Sequence, residues 1–513
     1  MSSNGNAAAY FVDRHIIEDR SDKVAFVEAG PDGHSMTYGR LAELSGRVAT
    51  ALTRADFRRE ERAVMLVLDQ LEFPQIFWGC LKSGVIPIPL NTLLATSVYE
   101  AILEDCRASI LFVSDALLPA VGPAIAANTH LRKVVVIGEN TDGHDAYADF
   151  IDGCAASETV PASADETAFW LYSSGSTGLP KGVKHVHGSL RATCDTYGAQ
   201  VLGIQENDTI YSAAKLFFAY GLGNGMSFPM SVGATAILNA GRPTPDGVLD
   251  ILETHSPTIF GGVPTLYAAM LAQMENTGFE PSAKLRVSIS AGEALPADIG
   301  LKWKAAWGSD ILDGVGSTEM LHIFLSNRSD DLLYGTSGVA VPGYDLRLVD
   351  EDGTDVAVGG IGELLVRGDS AADGYWNQRA KSRTTFEGEW TRTGDKYELS
   401  DDGRYIYCGR TDDMFKVSGI WVSPFEVEQA LIAHPAVLES AVVAHRDKDG
   451  LEKPKAYVVL KEGATVTGLA DALREHVKVA VGKWKYPRWV EFVDDLPKTA
   501  TGKIQRFKLR DGD

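Results

Sequence analysis

A short apolar strand, Ala168–Tyr172, opens into Ser173-Ser-Gly-Ser-Thr-Gly-Leu-Pro-Lys-Gly182, and this run constrains the chain more than any other. Glycine lets a backbone take positive φ and bring its amides close to a ligand. Ser173, Ser174, Ser176 and Thr177 add hydroxyl donors around Gly175 and Gly178, and Lys181 adds a cation. A loop so equipped after a strand suits a polyphosphate. It lacks the GxxxxGK[ST] spacing, and no GxGxxG follows the first strand, so neither common nucleotide fingerprint applies. Taken alone the composition also fits a surface turn, and the rest of the chain must decide.

With 513 residues, 45% of them hydrophobic, the chain is too long for one typical domain and rich enough for a packed core. Ser109–Ser114 and Lys133–Gly138 are short β-branched runs that read as buried strands. Thr37–Leu52 places Leu41, Leu44, Val48 and Leu52 near helical spacing. Alternation of this kind predicts parallel sheets covered by helices. After about residue 335 the texture changes: Leu346–Val349 and Glu363–Arg367 read as strands around the turn Asp352-Gly353, a small β-rich subdomain. From Thr411 onward come a helix (Pro424–Ala433), strands (Glu439–Ala444, Ala456–Leu460, Trp489–Phe492) and a helix near Leu469–Val477. The expected fold is therefore α/β. Residues 1–410 form a large domain of two α/β subdomains plus the β-rich one, residues 411–513 a small α+β domain, and Gly409–Asp413 the tight connection.

A net charge of −21 argues against a general nucleic-acid or membrane-surface binder. No window approaches the ~20 apolar residues that span a bilayer, and the polar N-terminus has no cationic stretch followed by an apolar one. Cys80, Cys106, Cys154, Cys194 and Cys408 are scattered, without CxxC spacing, which predicts neither disulfides nor a zinc site and points to the cytoplasm.

Further signatures follow the Ser/Gly loop in order: Lys215–Leu222 (KLFFAYGL), Ala291–Pro296 (AGEALP), Gly316-Ser-Thr-Glu319, Thr393-Gly-Asp395, Gly409-Arg-Thr-Asp-Asp413 and Pro497–Lys503 (PKTATGK). Together these motifs resemble the adenylate-forming superfamily of acyl-CoA synthetases, luciferases and peptide-synthetase adenylation domains, over nearly the whole chain. Two positions depart from the pattern: Phe218 stands where histidine is common, and Val315-Gly316 replaces an aromatic-Gly pair.

In that family a carboxylate attacks the α-phosphate of ATP, so two anions must be aligned and their charge neutralised. The resemblance implies that the loop, from Ser173 to Gly178 with Lys181, holds the β- and γ-phosphates. Thr318 then donates to the α-phosphate, and Glu319 is the Mg2+ ligand, as suits a hard oxygen donor. Gly292, Glu293, Ala294 and the run Asp313, Gly314, Val315, Gly316, Ser317 become walls of the adenine pocket. Asp395 would accept the ribose hydroxyls through its two oxygens, Arg410 would contact ribose or phosphate, and Tyr407 would pack near the nucleoside. Lys503 becomes the mobile catalyst, carried by a small domain that rotates about Asp412 after adenylation, with Ser418-Gly419 approaching the pantetheine of coenzyme A.

Ala219-Tyr220-Gly221, Ser317–Asn327, Ala380–Phe386, Asp412–Glu426 and Lys503–Arg510 resemble the benzoate:CoA ligase branch. A planar acid needs a flat, mostly apolar slot, here assigned to Phe218, Ala219, Tyr220, Gly221, Ala291, Gly292, His322 and Ile323. His322 or Tyr220 could meet a ring hydroxyl or amino group. The implied reaction converts benzoate, or a close hydroxy- or amino-substituted benzoate, to its acyl-adenylate and pyrophosphate, then with coenzyme A to aryl-CoA and AMP, a step toward aromatic-acid degradation. Two other readings stay open: a free-standing adenylation enzyme loading a carrier protein, and a non-catalytic nucleotide sensor. Acylation of Lys503 by lysine-modifying enzymes would remove its charge. The oligomeric state is open.

Overall fold

The computed structural model describes residues 4–30, 33–173, 180–282, 285–417, 420–448, 451–482, 484–498 and 504–510. The chain divides into two units, Met1–Asp345 with Val366–Thr391, and Leu346–Leu365 with Arg392–Asp513. The second therefore takes in parts of the β-rich section as well as the C-terminal segment.

In the first unit, Ile86–Pro89, Arg62–Leu66, Ile110–Ser114, Lys133–Ile137 and Asp145–Ala146 pair in that order as one parallel sheet. Its strands are apolar along their length because helices cover parallel sheets on both faces: Val64, Leu66, Leu111, Val113 and Val136 share one core with Ile102, Leu103 and Val121 from helices. The helix expected from residue 37 is Tyr38–Arg54. Thr37 caps it, accepting the Arg40 N–H, and Leu41, Leu44, Val48 and Leu52 are buried as their spacing requires. The strands expected at 109–114 and 133–138 lie within one residue of those bounds.

A nine-stranded sheet forms the second layer. Its parallel strands include Thr209–Ser212, Ile259–Gly262, Val287–Ala291 and Ile311–Gly316, and Ile323–Ser326 folds back antiparallel beside Ile311–Gly316. The carboxyl ends of three of these strands run into KLFFAYGL, AGEALP and GSTE. Open α/β sheets bind ligands outside those ends. A third, three-stranded antiparallel sheet pairs Thr167–Ser173 with Lys181–Val186, and Gly374–Tyr375 adds to the outer edge. Ser173 faces Lys181 in this register, so the Ser/Gly loop is the connection of a β-hairpin.

The strand Trp390–Leu399 starts in the first unit and, within the second, pairs Asp395 through Leu399 with Tyr405–Arg410. Helix Pro424–Ile432 starts at Ser423, whose hydroxyl accepts the Glu426 N–H, with proline in its first turn. Val437–Arg446 and Glu452–Leu460 run antiparallel, and Trp489–Phe492 joins them in parallel. The helix Leu469–Val481 packs Leu473 and Val477 into the same core as Val427, Leu431, Val442 and Val458. Among the described residues no helix is long and apolar enough to cross a membrane.

Candidate active site

The turn that follows Ile311–Gly316 gathers the nucleotide-side residues of the first unit. A β-carbon on Gly316 would lie 2.6 Å from the His322 carbonyl oxygen, so only glycine lets the chain double back here. Leu321 completes the turn with φ +65°, an unfavourable conformation for a leucine that the surrounding packing imposes. The Leu321 N–H donates to the Thr318 carbonyl at 3.1 Å, and the Met320 N–H to Ser317 Oγ at 3.1 Å.

Two side chains outside every signature hold this turn. His185, on the strand leaving the Ser/Gly loop, is fully buried and stacks on Phe169 at 5.1 Å. Burial pushes its pKa down to about 4, so the ring is neutral near pH 7. Its Nε2 lies 2.9 Å from the Thr318 carbonyl and donates to it. Tyr375 donates its hydroxyl to Glu319 Oε1 at 2.7 Å, and the Ala372 N–H reaches the Glu319 carbonyl at 2.8 Å. Lys181 Nζ stands 3.8 Å from Glu319 Oε1 and 4.6 Å from the Tyr375 ring centroid.

Ala291 pairs with Gly314 across adjacent parallel strands, the last pair between them before Gly292, Glu293 and Ala294 on one side and Val315, Gly316 and Ser317 on the other. Gly292 turns there with φ +97°. Asp313 is buried, and desolvation raises its carboxyl to about 8.

Of the residues expected to line the acid slot, Tyr220, Ala291, His322 and Ile323 lie on or beside the same sheet. Phe218 precedes the short helix Ala219–Leu222. The Tyr220 hydroxyl lies 3.1 Å from both the Gly262 and the Ile289 carbonyls, and burial holds it protonated far above pH 10. Its one proton is therefore committed to the backbone. His322 is 2% exposed and pushed down to about 3 by burial. Its ring lies among Tyr197, Tyr220 and the edge of Phe228, at 5.3, 5.7 and 4.5 Å. Its Nε2 is 3.3 Å from the Tyr220 carbonyl, while Nδ1 has no partner among the described residues. A β-carbon on Gly223 would fall 2.3 Å from this ring, so glycine makes its room. Ala291 and Ile323 are buried, and a β-carbon on Gly314 would meet Ile323 Cγ2 at 2.9 Å. Asn224 is wholly buried with neither amide atom partnered among the described residues.

In the second unit, Asp395 and Arg410 are direct cross-strand partners, with Arg410 Nη1 3.0 Å from Asp395 Oδ1 and 3.0 Å from the Thr393 carbonyl. The Asp395 charge raises the guanidinium pKa further. Gly394 takes φ +71°, and a β-carbon there would lie 2.8 Å from Arg410 Nη2. Tyr407 meets Phe425 and Tyr397 edge-on at 5.2 and 5.4 Å. Asp412 is exposed, and the next residue, Asp413, pairs with Arg510 and lies 3.6 Å from Arg506. Ser174, Gly175, Ser176, Thr177, Gly178, Ser418, Gly419 and Lys503 lie outside the described residues.

The residues fit a magnesium ion that arrives with its substrate. Mg2+ commonly uses one or two carboxylates plus substrate phosphates in place of an all-protein cage. Glu319 offers such a carboxylate, and the described residues hold no cluster of three or more His, Cys, Asp or Glu side chains that could cage a metal.

A hairpin lysine beside an anchored Thr-Glu turn, at the carboxyl end of an open sheet, suits a nucleotide-dependent activating enzyme. The chain belongs to the AMP-binding enzyme family, whose model matches residues 13–376, with the AMP-binding enzyme C-terminal domain at 426–503. Within it the chain falls in the benzoate:CoA ligase branch. It is 50% identical over 512 residues to a 4-hydroxybenzoate–CoA/benzoate–CoA ligase of Rhodopseudomonas palustris, covering 99% of this chain and 94% of that one. A benzoate–CoA ligase of Thauera aromatica is 52% identical over 98% of this chain and 95% of its own. A crystallised benzoate CoA ligase from Burkholderia xenovorans LB400 is 47% identical with a TM-score of 0.89, covering 99% of this chain and 100% of its own. The anthranilate CoA ligase AuaEII, solved with anthranoyl-AMP, is 43% identical with a TM-score of 0.93 over 98% and 96%.

Proposed function

We propose that this protein is an AMP-forming aryl acid:CoA ligase that activates benzoate or a close hydroxy- or amino-substituted benzoate. One observation carries the reading: a single turn, Gly316–His322, sets Glu319 3.8 Å from Lys181, has its Thr318 carbonyl held by His185, and ends in the His322 ring beside Tyr220. Relatives about 50% identical over almost the entire chain that act on benzoate and 4-hydroxybenzoate support it.

The benzoate ring enters the slot of Phe218, Ala219, Tyr220, Gly221, Ala291, Gly292, His322 and Ile323, which is mostly apolar, with the Tyr220 hydroxyl tied to the backbone and His322 Nδ1 the one buried side-chain polar atom there without a partner among the described residues. Water exclusion there strengthens every charge interaction at the carboxylate. Lys181 and the loop hydroxyls take the β- and γ-phosphates, Thr318 donates to the α-phosphate, and the paired Asp395 and Arg410 take the ribose and neighbouring phosphate. Glu319 would hold Mg2+, which when bound neutralises phosphate charge. Lys503 bridges the attacking carboxylate and the α-phosphate, and rotation about Asp412 then brings Ser418-Gly419 to the thiol of coenzyme A. Acylation of Lys503 would remove the cation and silence the first half-reaction selectively. The five cysteines are buried and unpaired, which supports a reducing, cytoplasmic setting.

The test is AMP and pyrophosphate formation from ATP and Mg2+ with a panel of benzoates, with and without coenzyme A, beside Lys503→Ala. The expected result is benzoate-dependent AMP that turns over only with coenzyme A and falls ~10²–10³-fold in the variant. Preference for acetate or a long-chain acid would overturn the aryl assignment. Pyrophosphate release without a thioester would point to a carrier protein as acceptor.

A further inference from the structure

Glu319 and Lys181 carry opposite charges 3.8 Å apart, and their side chains are only 16% and 17% exposed. In the reading above they serve opposite partners, the carboxylate a cation and the ammonium a phosphate. Left to themselves, two such groups in a poorly solvated site would close into a direct ion pair. A carboxylate engaged in that way is a poor metal ligand, and a neutralised lysine a poor phosphate ligand. At 3.8 Å the pair is loose, and something must hold it short of the ~2.8 Å of a hydrogen-bonded pair.

Tyr375 stands where that function is needed. It is 6% exposed. Its hydroxyl donates to Glu319 Oε1 at 2.7 Å, and the face of the same ring lies 4.6 Å from Lys181 Nζ. One side chain thus engages the carboxylate with its polar tip and the ammonium with its π-face. Its own position is fixed three ways. Tyr375 pairs with Val183, two residues beyond Lys181 on the hairpin strand. Its N–H donates to Ser382 Oγ at 3.0 Å. Its ring packs on Phe386 at 5.4 Å. The same short strand is flanked by the Trp376 N–H, which donates to the Gly182 carbonyl at 2.8 Å, and by the Ala372 N–H, which holds the Glu319 backbone. Hydrogen bonds thus tie this short strand and its flanking residues to both the lysine strand and the glutamate backbone.

We propose that Tyr375 is a positioning residue of the nucleotide site, which holds Glu319 poised for a divalent cation and Lys181 poised for phosphate by keeping the two from collapsing onto each other. The inference rests on the reading of this turn as the MgATP site. Partners of a metal-binding carboxylate set its orientation, and their loss commonly costs ~10–100-fold in metal affinity.

The experiment is calorimetric titration of ATP into the intact protein at several Mg2+ concentrations, without acid or coenzyme A, so that no turnover occurs. Tyr375→Phe keeps the ring for Lys181 and removes the hydroxyl. It should raise the Mg2+ concentration that half-saturates ATP binding by ~10-fold or more, with the circular dichroism spectrum of the folded wild type retained. Tyr375→Leu removes the ring as well and should weaken ATP binding a further ~3-fold at saturating Mg2+. Thr385→Val controls for the hydroxyl's other neighbour, Thr385 Oγ1 at 3.4 Å, and should leave the Mg2+ dependence unchanged. A Phe variant with wild-type Mg2+ dependence, or a Thr385 variant that reproduces the shift, overturns the inference while leaving the site reading intact. A wild-type protein that takes up no MgATP overturns both.

Discussion

Burial holds the ring of His322 neutral down to about pH 3 and leaves Nδ1 as a buried polar atom with no described partner. An unpaired buried polar atom costs about 1–3 kcal/mol, and a substituent on the bound ring would recover it. His322→Leu keeps the volume and removes that atom. It should lower kcat/KM for the hydroxy- or aminobenzoate that uses Nδ1 by ~10-fold or more relative to benzoate, and an unchanged ratio across the panel would assign His322 to packing alone. Because the ring titrates only near pH 3, this discrimination should be flat from pH 6 to 9. Tyr220 differs: its proton already serves the Gly262 and Ile289 carbonyls, so toward a ring hydroxyl or amino group its oxygen could act only as an acceptor. His185 acts at the same scale. His185→Leu strands the Thr318 carbonyl and should lower stability by roughly 1–3 kcal/mol, read by denaturant titration, and raise the KM for ATP. The signature residues were legible because each motif has its own spacing. His185 and Tyr375 were not, since each works through a contact more than 50 positions away in sequence, Thr318 and Glu319 respectively.

Elements explain why several motif glycines are glycine. Ile311–Gly316 and Ile323–Ser326 form an antiparallel pair with a register shift between Val315 and Gly316, and that shift brings the Ile323 side chain against Gly314. A methyl group at Gly314 would push Ile323 toward the acid slot, a kind of overpacking that costs about 1–3 kcal/mol. Gly314→Ala should therefore raise the KM for benzoate by ~10-fold with the KM for ATP within a few-fold. Adding Ile323→Val should restore much of the loss, because it removes a methylene from the crowded side chain. Steady-state kinetics on the single and double variants decide it, and failure of the second change to help would place the strain elsewhere. The strands and long helices were readable from apolar period and β-branched runs, and the helix expected over Thr37–Leu52 runs from Tyr38 to Arg54 with Thr37 as its cap. The wide helical turn at Gly223–Ser227, which buries Asn224 behind the slot, has no such signal. Neither has the edge strand Gly374–Tyr375, whose two residues are too few to show a period.

Across the whole molecule, the buried titratable groups set a direction for acid stability. His15, His185 and His187 are each lowered to about 4 and His322 to about 3, all by burial. A group whose pKa is depressed on folding contributes stability above its unfolded value, near 6.5, and loses it as pH falls toward the folded one. Asp69 and Asp313 work the other way. Burial raises them to about 6 and about 8, so their contribution is complete below about pH 3.8 and is lost as pH rises through those values. The four histidines outweigh the two carboxylates, so the balance between pH 7 and 4 is a loss of stability. All six groups belong to the first unit. Its melting transition should therefore drop steeply below pH 6, while the second unit, which holds none of them, follows a shallower course. Differential scanning calorimetry with the two transitions resolved would show it, and parallel shifts of both transitions would mean that the buried histidines do not govern the acid limit. The same burial that keeps His185 on Thr318 and His322 in the slot would then set the lowest pH at which the candidate site stays assembled.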